Sequence, residues 1–329
     1  MIISQKKLTQ LVLLLLLTGV VGCGNGPMQR ESKVPKVGFL DLLEDATLAQ
    51  AKKGFFIALK DSGYSVSNGT LEVLYRNAQG DQPTLLQACD YLIGERVDIL
   101  ATNPTLSTIA AVQRTTDIPI FMMVSPRPDI IRLTDAAGKS PANLFGVYET
   151  LDYLDTSLMI ATTLFPDKKT IGTIYNQSEP QSVDALQRIE ARCAAMGLRL
   201  EKLPVNNSNE AQLVVAALLQ KKIDIFFALP DNTVFSSMEV IVKSCDDAKV
   251  PVITSEEGLV KRGAMAAFGA DMYAWGYQSG AQAAMYLKNG ATGLAPEMVK
   301  QRRKVCNQLK ADQFHVVLDS TFIRVSSSQ

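Results

Sequence analysis

Between Val37 and Thr254 the chain alternates short apolar runs with stretches of helical period, and it goes through that alternation twice. An apolar strand, an amphipathic helix and another apolar strand make a βαβ unit, whose parallel strands are covered by helices on both faces. The first pass predicts strands at Val37–Leu40, Leu71–Tyr75, Val97–Ala101 and Ile118–Val124, with helices over Ala46–Ser62, Pro83–Gly94 and Pro104–Thr115. The second predicts strands at Thr170–Tyr175, Leu198–Val205, Ile223–Leu229 and Val250–Thr254, with helices over Pro180–Met196, Asn209–Lys221 and Thr233–Ala248. Individual residues correspond between the passes. Val97-Asp98-Ile99 matches Ile223-Asp224-Ile225 at an offset of 126, Ile118-Pro119-Ile120 matches Val250-Pro251-Val252 at 132, and Val37 matches Ile171 at 134. Local self-similarity belongs to any doubly wound chain, but near-equal offsets in a fixed order point to two equivalent α/β lobes. Asn143–Thr150 is then the first strand to cross between them.

The segment ahead of the first strand is of another kind. Lys6 and Lys7 precede an apolar run from Leu11 to Leu17, and small residues precede Cys23. That is the pattern of a secretory signal, too short for a spanning helix of about 20 residues. Its end, Val20-Val21-Gly22-Cys23, resembles a bacterial lipobox, which implies cleavage after residue 22 and acylation of Cys23; an ordinary signal peptide with a chance cysteine is the alternative. Residues 23–36 read as a lipid-anchored tether, so the protein is expected outside the cytoplasm, held at a membrane in the cell envelope.

Composition removes several classes of function. Hydrophobic residues at 47% and charged residues at 20% allow a large core and exclude a disordered chain. With 33 Lys+Arg against 33 Asp+Glu there is no electrostatic footprint for nucleic acid. The single histidine, His315, lies in Phe314–Leu318, which is expected to be a strand; little is left for imidazole catalysis or a His-rich metal site. Cys89, Cys193, Cys245 and Cys306 include no C-x-x-C pair, and they are expected as buried free thiols although three disulfide connectivities are open to them. No P-loop, G-x-G-x-x-G, G-x-S-x-G or H-E-x-x-H occurs, so neither an enzyme activity, a cofactor nor a bound metal is expected. The acid pairs Glu44/Asp45 and Glu256/Glu257 read as solvated turns.

Open parallel sheets bind ligands beyond the carboxyl ends of their strands. The candidates there are Glu44 after the first strand, Thr102, Asn103 and Thr105 after the third, and Ser125 after the fourth. The second pass supplies Asn176, Glu179, Gln181 and Ser182, then Asp231, Asn232 and Thr233, then Ser255 and Glu256; Asp271 and Tyr273 follow further on. Each is also a plausible helix cap, but as a set they face one cleft. Helix starts at Thr102–Thr105 and Asn232–Thr233 suit a carboxylate, and Glu179 or Asp231, with Glu44 and Asp271 behind them, suit an ammonium. A shortage of aromatics in these turns favours an amino acid over a sugar, with Trp275 read as helix packing.

Several strings make the resemblance specific: Asn77-Ala78-Gln79-Gly80-Asp81, Tyr175-Asn176, Pro230-Asp231-Asn232-Thr233, Gly263-Ala264, and Gly269-Ala270-Asp271-Met272-Tyr273 with Gly276 and Gly280. Together with the lipobox and the two lobes, the chain resembles the periplasmic substrate-binding proteins of ABC transporters, in a subgroup for tryptophan or tyrosine uptake. The resemblance implies a type I periplasmic-binding-protein fold: two Rossmann-like lobes of flavodoxin-like strand order, with parallel sheets joined by three crossovers. By position these fall near Gly146–Glu149, Phe268–Asp271 and Leu294–Val299, which places residues 37–146 and 271–294 in lobe 1, and 147–270 and 295–325 in lobe 2. Asp45-Ala46 stands where the family often has His-Pro, and Thr102-Asn103-Pro104 where the subgroup often has an alanine-rich turn. The implied role is capture of a small solute, an amino acid with an aromatic or large apolar side chain, by a monomer that delivers it to a permease and its ATPase. A receptor-coupled sensor, a sugar-binding protein and a secreted α/β hydrolase are the alternatives.

Overall fold

A computed structural model describes residues 33–326. The signal segment and Cys23 lie outside these residues. Strands β1 (Lys36–Asp41), β2 (Glu72–Asn77), β3 (Ile99–Asn103), β4 (Ile120–Met122) and β5 (Leu144–Tyr148) alternate with helices α1 (Ala46–Asp61), α2 (Gln82–Gly94) and α3 (Thr105–Arg114). With β11 (Glu297–Met298) they form a sheet of order β2-β1-β3-β4-β5-β11. The second sheet contains β6 (Thr170–Tyr175), β7 (Arg199–Pro204), β8 (Ile225–Ala228), β9 (Val252–Thr254), β10 (Ala266–Ala270), β12 (Arg302–Asn307) and β13 (Ile323–Val325), in the order β7-β6-β8-β9-β10-β12-β13. Leaving out the added strands at one edge, both sheets follow the order 2-1-3-4-5, and only the β10–β12 pair is antiparallel. The duplicated pattern is therefore a duplicated topology.

Burial follows position in the sheet. Central β3 and β8 are buried along their whole length, as parallel strands covered on both faces must be, whereas the edge strands β2 and β7 are partly exposed. The second lobe carries α4 (Tyr153–Leu164), α5 (Pro180–Ala195), α6 (Ala211–Gln220), α7 (Asn232–Ser236), α8 (Met238–Asp247) and α9 (Glu257–Lys261). Helix α10 (Met272–Asn289) returns to the first lobe and lies against α1. Glycines make this crossing possible: a Cβ on Gly276 would sit 1.8 Å from the Ala51 carbonyl oxygen, and one on Gly280 2.3 Å from that of Phe55. A short helix α11 (Gln308–Gln313) follows β12.

Hydrogen-bonded pairing shifts two of the expected lobe boundaries. β5 stays in the first sheet through Tyr148, so the chain leaves that lobe after residue 148 rather than after 146. Glu297 and Met298 pair with Val147 and Tyr148, which keeps residues 295–298 with the first lobe and puts the third crossover just before Arg302. At the second crossover the chain leaves β10 at Asp271, whose side chain caps α10 by accepting from the Ala274 N–H.

Two further expectations are corrected. The helix over Thr233–Ala248 breaks at Ser237 into α7 and α8; Ser236 Oγ donates back to the Asn232 and Thr233 carbonyls, a pattern that bends helices. Phe314–Leu318 is not a strand. His315 has φ 57° in a turn after α11, and Phe314, Val316 and Leu318 instead pack an irregular segment onto the second lobe's core. All four described cysteines are free and buried, and burial pushes the Cys89 and Cys245 thiols up to about 12, leaving them unreactive.

Candidate ligand-binding site

The carboxyl ends of the two sheets face each other across a narrow cavity. Pro104, Thr105, Val124, Ser125 and Pro126 line it from the first lobe, Glu149 and Leu151 from the first crossover, and Trp275 from α10. The second lobe contributes Tyr153, Gln181, Pro230, Asn232, Phe235 and Glu256. Its walls are thus mainly apolar and aromatic with a few converging polar groups, the composition of a small-molecule site. The rings are fixed by their own polar atoms: the Trp275 indole N–H donates to the Val147 carbonyl at 2.8 Å, and the Tyr153 hydroxyl donates to Glu256 Oε1 at 3.1 Å.

Four buried acids surround this cavity, and their environments differ. Asp231, fully buried, accepts from the Asn176 N–H at 2.7 Å, from Ser182 Oγ at 2.5 Å and from the Val234 N–H at 3.0 Å, which caps α7. Glu179 Oε2 accepts from the Asn232 N–H and side-chain amide, both at 2.9 Å, and from Gln181 Nε2 at 2.5 Å. Burial raises both carboxyls, Glu179 well above its usual range with the neighbouring Asp231 charge adding to the effect. Glu149 accepts from the Thr150 N–H and is held by Arg302, with Nε 2.9 Å from Oε2; burial still raises its carboxyl. Glu256 is different. Burial pushes its carboxyl up to about 8, and Oε2 has no hydrogen-bond partner. Gln181 Oε1 likewise has none.

Of the residues expected from sequence, Thr105, Ser125, Gln181, Asn232 and Glu256 line the cavity. Behind its walls, Thr102 pairs with Thr108 at 2.9 Å, Asn103 Nδ2 donates to Asp41 at 2.9 Å, and Ser182 and Ser255 are fully buried. Glu44, Asn176, Glu179 and Thr233 border a wider opening on one flank of the cleft. Asp271 and Tyr273 border another opening on the opposite flank, where Asp271 pairs with Arg303 at 2.5 Å. Asp231 lies beneath the cavity without lining it. Sequence reasoning missed Glu149, Leu151, Tyr153 and Phe235, and it read Trp275 as packing alone, although the indole packs and lines the cavity at once. Phe235, three residues beyond Asn232 in the same helix, was within reach of a periodicity argument; Tyr153 was not, because α4 was not anticipated.

On one flank the lobes touch directly. Arg262 of the second lobe pairs with Asp45, the cap of α1, at 2.5 Å, and with Glu239 at 2.7 Å. Gly258 lies so close to Thr47 that a Cβ there would be 2.1 Å from Thr47 Cγ2.

Residues 36–327 match the family model described as ABC transporter substrate binding protein. The chain is 32% identical over 307 residues to a tyrosine-binding protein of Clostridioides difficile strain R20291, covering 89% of this chain and 88% of that protein. The fold superposes with a TM-score of 0.81 on a Streptococcus pneumonia ABC domain in complex with L-Trp, at 23% identity over 88% of this chain and 99% of that one. The TM-score is 0.67 with the ligand-free, open structure of a Clostridium difficile substrate-binding protein with adhesive properties, at 26% identity over 90% of this chain and 100% of that one.

Proposed function

The chain belongs to the family of ABC transporter substrate-binding proteins, and we propose that it captures an α-amino acid with an aromatic or large apolar side chain between its lobes for a membrane permease. Proteins of this family are solute-binding components and work outside the cytoplasm. The observation that carries the ligand reading is the cavity wall: Tyr153, Phe235 and Trp275 provide rings, while Thr105 at the start of α3 and Ser125 after β4 carry hydroxyls. The first turn of that ten-residue helix presents backbone N–H groups and a partial positive charge, a setting for a carboxylate. An aromatic ligand side chain packed among these rings would gain from aromatic pairing. The kinship with a tyrosine-binding protein supports the same ligand class.

Glu179 and Asp231 are given a different role from the one expected of them. Their oxygens already accept hydrogen bonds inside the second lobe, so we assign them to holding the turns after β6 and β8 in place. Closure by hinge motion at the three crossovers completes the site. Its flank is the Asp45–Arg262 pair and the Thr47–Gly258 contact. No helix among the described residues is long and apolar enough to cross a membrane. We assign membrane attachment to acylation of Cys23, and the protein to a monomer.

Calorimetry over the twenty amino acids and a sugar panel tests the ligand class: micromolar or tighter binding of L-tyrosine, L-tryptophan or a large apolar amino acid is expected. Tight binding of a neutral sugar with no response to any amino acid would overturn it. For the anchor, Cys23→Ala should move the protein into soluble fractions, and retention in detergent-requiring membranes would count against acylation.

A further inference from the structure

Two buried acceptors face the cavity with no donor. Glu256, 3% exposed, has Oε1 engaged by the Tyr153 hydroxyl at 3.1 Å and by Ser255 Oγ at 3.4 Å, while Oε2 has no partner. Gln181, 4% exposed, spends its amide nitrogen on Glu179 and leaves Oε1 without a partner. Buried acceptors left in this way are uncommon and call for a donor. A ligand ammonium brings three N–H groups and no acceptor, matching a wall on which Glu256 Oε2 and Gln181 Oε1 are buried acceptors without a donor.

The charged surroundings of Glu256 decide its state before the ligand arrives. Glu149 faces it from the end of β5, already tied to Arg302 of β12, and Tyr153 faces it from α4. On its own helix, Glu257 is turned away toward Lys261, at 2.8 Å, and Arg303. No cation faces Glu256 from any of these elements, so a second bare carboxylate beside Glu149 is disfavoured. Tyr153 and Ser255 belong to the second lobe and Glu149 to the hinge, so this environment travels with Glu256 when the lobes move.

Resting on the amino-acid reading above, we infer that Glu256 anchors the ammonium group of the ligand and releases its carboxyl proton to solvent as the ammonium docks, coupling capture to loss of one proton. The ammonium keeps its three protons and donates one N–H to Oε2 and another to Gln181 Oε1. A neutral acid plus a cation becomes an ion pair plus a released proton, so charge balances. With the free carboxyl near 8, most molecules carry the proton at pH 7 and the complex does not. Affinity must therefore rise with pH, by about tenfold per unit below 8, and level off there.

The test is titration calorimetry with L-tyrosine and L-tryptophan at pH 7 in phosphate and in Tris. The binding heats should differ by close to the difference between the two buffers' ionisation enthalpies, and Kd should fall about tenfold per unit between pH 6 and 7.5. Glu256→Gln should bind more weakly and lose both the buffer dependence and the pH slope, with its unliganded melting curve checking that it folds. Equal heats in the two buffers with a flat Kd in the wild-type protein would overturn the proton coupling while leaving the ligand class intact. A slope that persists in Glu256→Gln would overturn the assignment to this residue. If no amino acid binds, the ligand reading fails and the proposal falls with it.

Discussion

At the offset of 126 residues, Pro104-Thr105 in the first lobe corresponds to Pro230-Asp231 in the second, and both prolines line the cavity. The first lobe puts a hydroxyl at that position and the second a carboxylate. The turns after β4 and β9 differ in the same sense, with Ser125-Pro126 on one side of the cleft and Ser255-Glu256 on the other. The first lobe's own acids are spent elsewhere: Asp41 is held by Lys52 and Asn103, and Asp45 caps α1 and pairs with Arg262. Two lobes of one topology thus give a cleft with a polarity, hydroxyls on one face and the titratable Glu256 carboxyl on the other, with Asp231 held beneath the wall. A symmetric cleft would suit a symmetric ligand; this one suits a molecule with an anionic and a cationic end.

The largest effect is expected where the second lobe's acids hold its own frame. Asp231→Ala leaves the Val234 N–H and the Ser182 hydroxyl without this acceptor, and the Asn176 N–H with only its 3.3 Å contact to Ser182 Oγ. Each bond to a charged acceptor contributes roughly 1.5–3 kcal/mol, so a loss of about 4 kcal/mol in unfolding free energy is expected by denaturant titration. Asp231→Asn, which keeps the shape, should cost less than half of that. A loss of ligand affinity at unchanged stability would instead return Asp231 to direct ligand contact.

That contrast also marks where the sequence stops being informative. Strands such as Ile225–Ala228 were legible because a strand buried on both faces has to be a continuous apolar run, and the 126- to 134-residue offsets exposed the duplication. Polar turns after the strands were legible as a group. Which of their side chains face the ligand was not, because Asp-Asn-Thr after a strand is written the same way whether the acid caps its helix or points into the cleft. Trp275 shows a related limit. Its helical neighbours Gly276 and Gly280 mark a packing face, and only the Val147 hydrogen bond across 128 residues reveals that the ring's other side is cavity wall.

Next in size is the flank where the lobes meet. Gly258→Ala would place a Cβ 2.1–2.5 Å from three atoms of the Thr47 side chain, which closure cannot accommodate without displacing α9 from α1. About a hundredfold loss of affinity is expected, roughly 2.7 kcal/mol, with stability of the open form unaffected. Thr47→Gly removes the obstructing atoms, so the double variant should recover most of the loss, and a double-mutant cycle reads the coupling directly. Additive losses would mean that the ligand-bound lobes do not meet at this contact.

Arg262→Gln comes third. The guanidinium is 11% exposed and the Asp45 carboxylate 3%, so this pair is shielded in a way that surface pairs are not. Removing it should cost about 1–1.5 kcal/mol of closure, seen as about a tenfold rise in Kd through a faster dissociation rate. The wild-type protein should bind more weakly at high salt and the variant should show less of that dependence. Equal salt dependence in both would assign the pair to the second lobe's own Glu239 contact.

The smallest expected effect lies on the neutral face. Thr105→Val and Ser125→Ala each remove one hydroxyl donor, and a neutral hydrogen bond contributes about 0.5–1.5 kcal/mol, so each should raise Kd only about two- to tenfold. The backbone N–H groups of α3 remain in place in both variants, so on the proposed reading the ligand carboxylate would keep these and the helix terminus itself. The stronger probe is accordingly the ligand: L-tyrosine methyl ester keeps the ammonium and the ring but loses the anionic oxygen. If the first lobe holds the carboxylate, the ester should lose far more affinity than either hydroxyl variant, and the two hydroxyl variants should discriminate less between acid and ester than the wild type does. Equal binding of acid and ester would reverse the polarity argued from the two lobes, because the neutral face would then hold no charge, and the acidic face would have to account for binding alone.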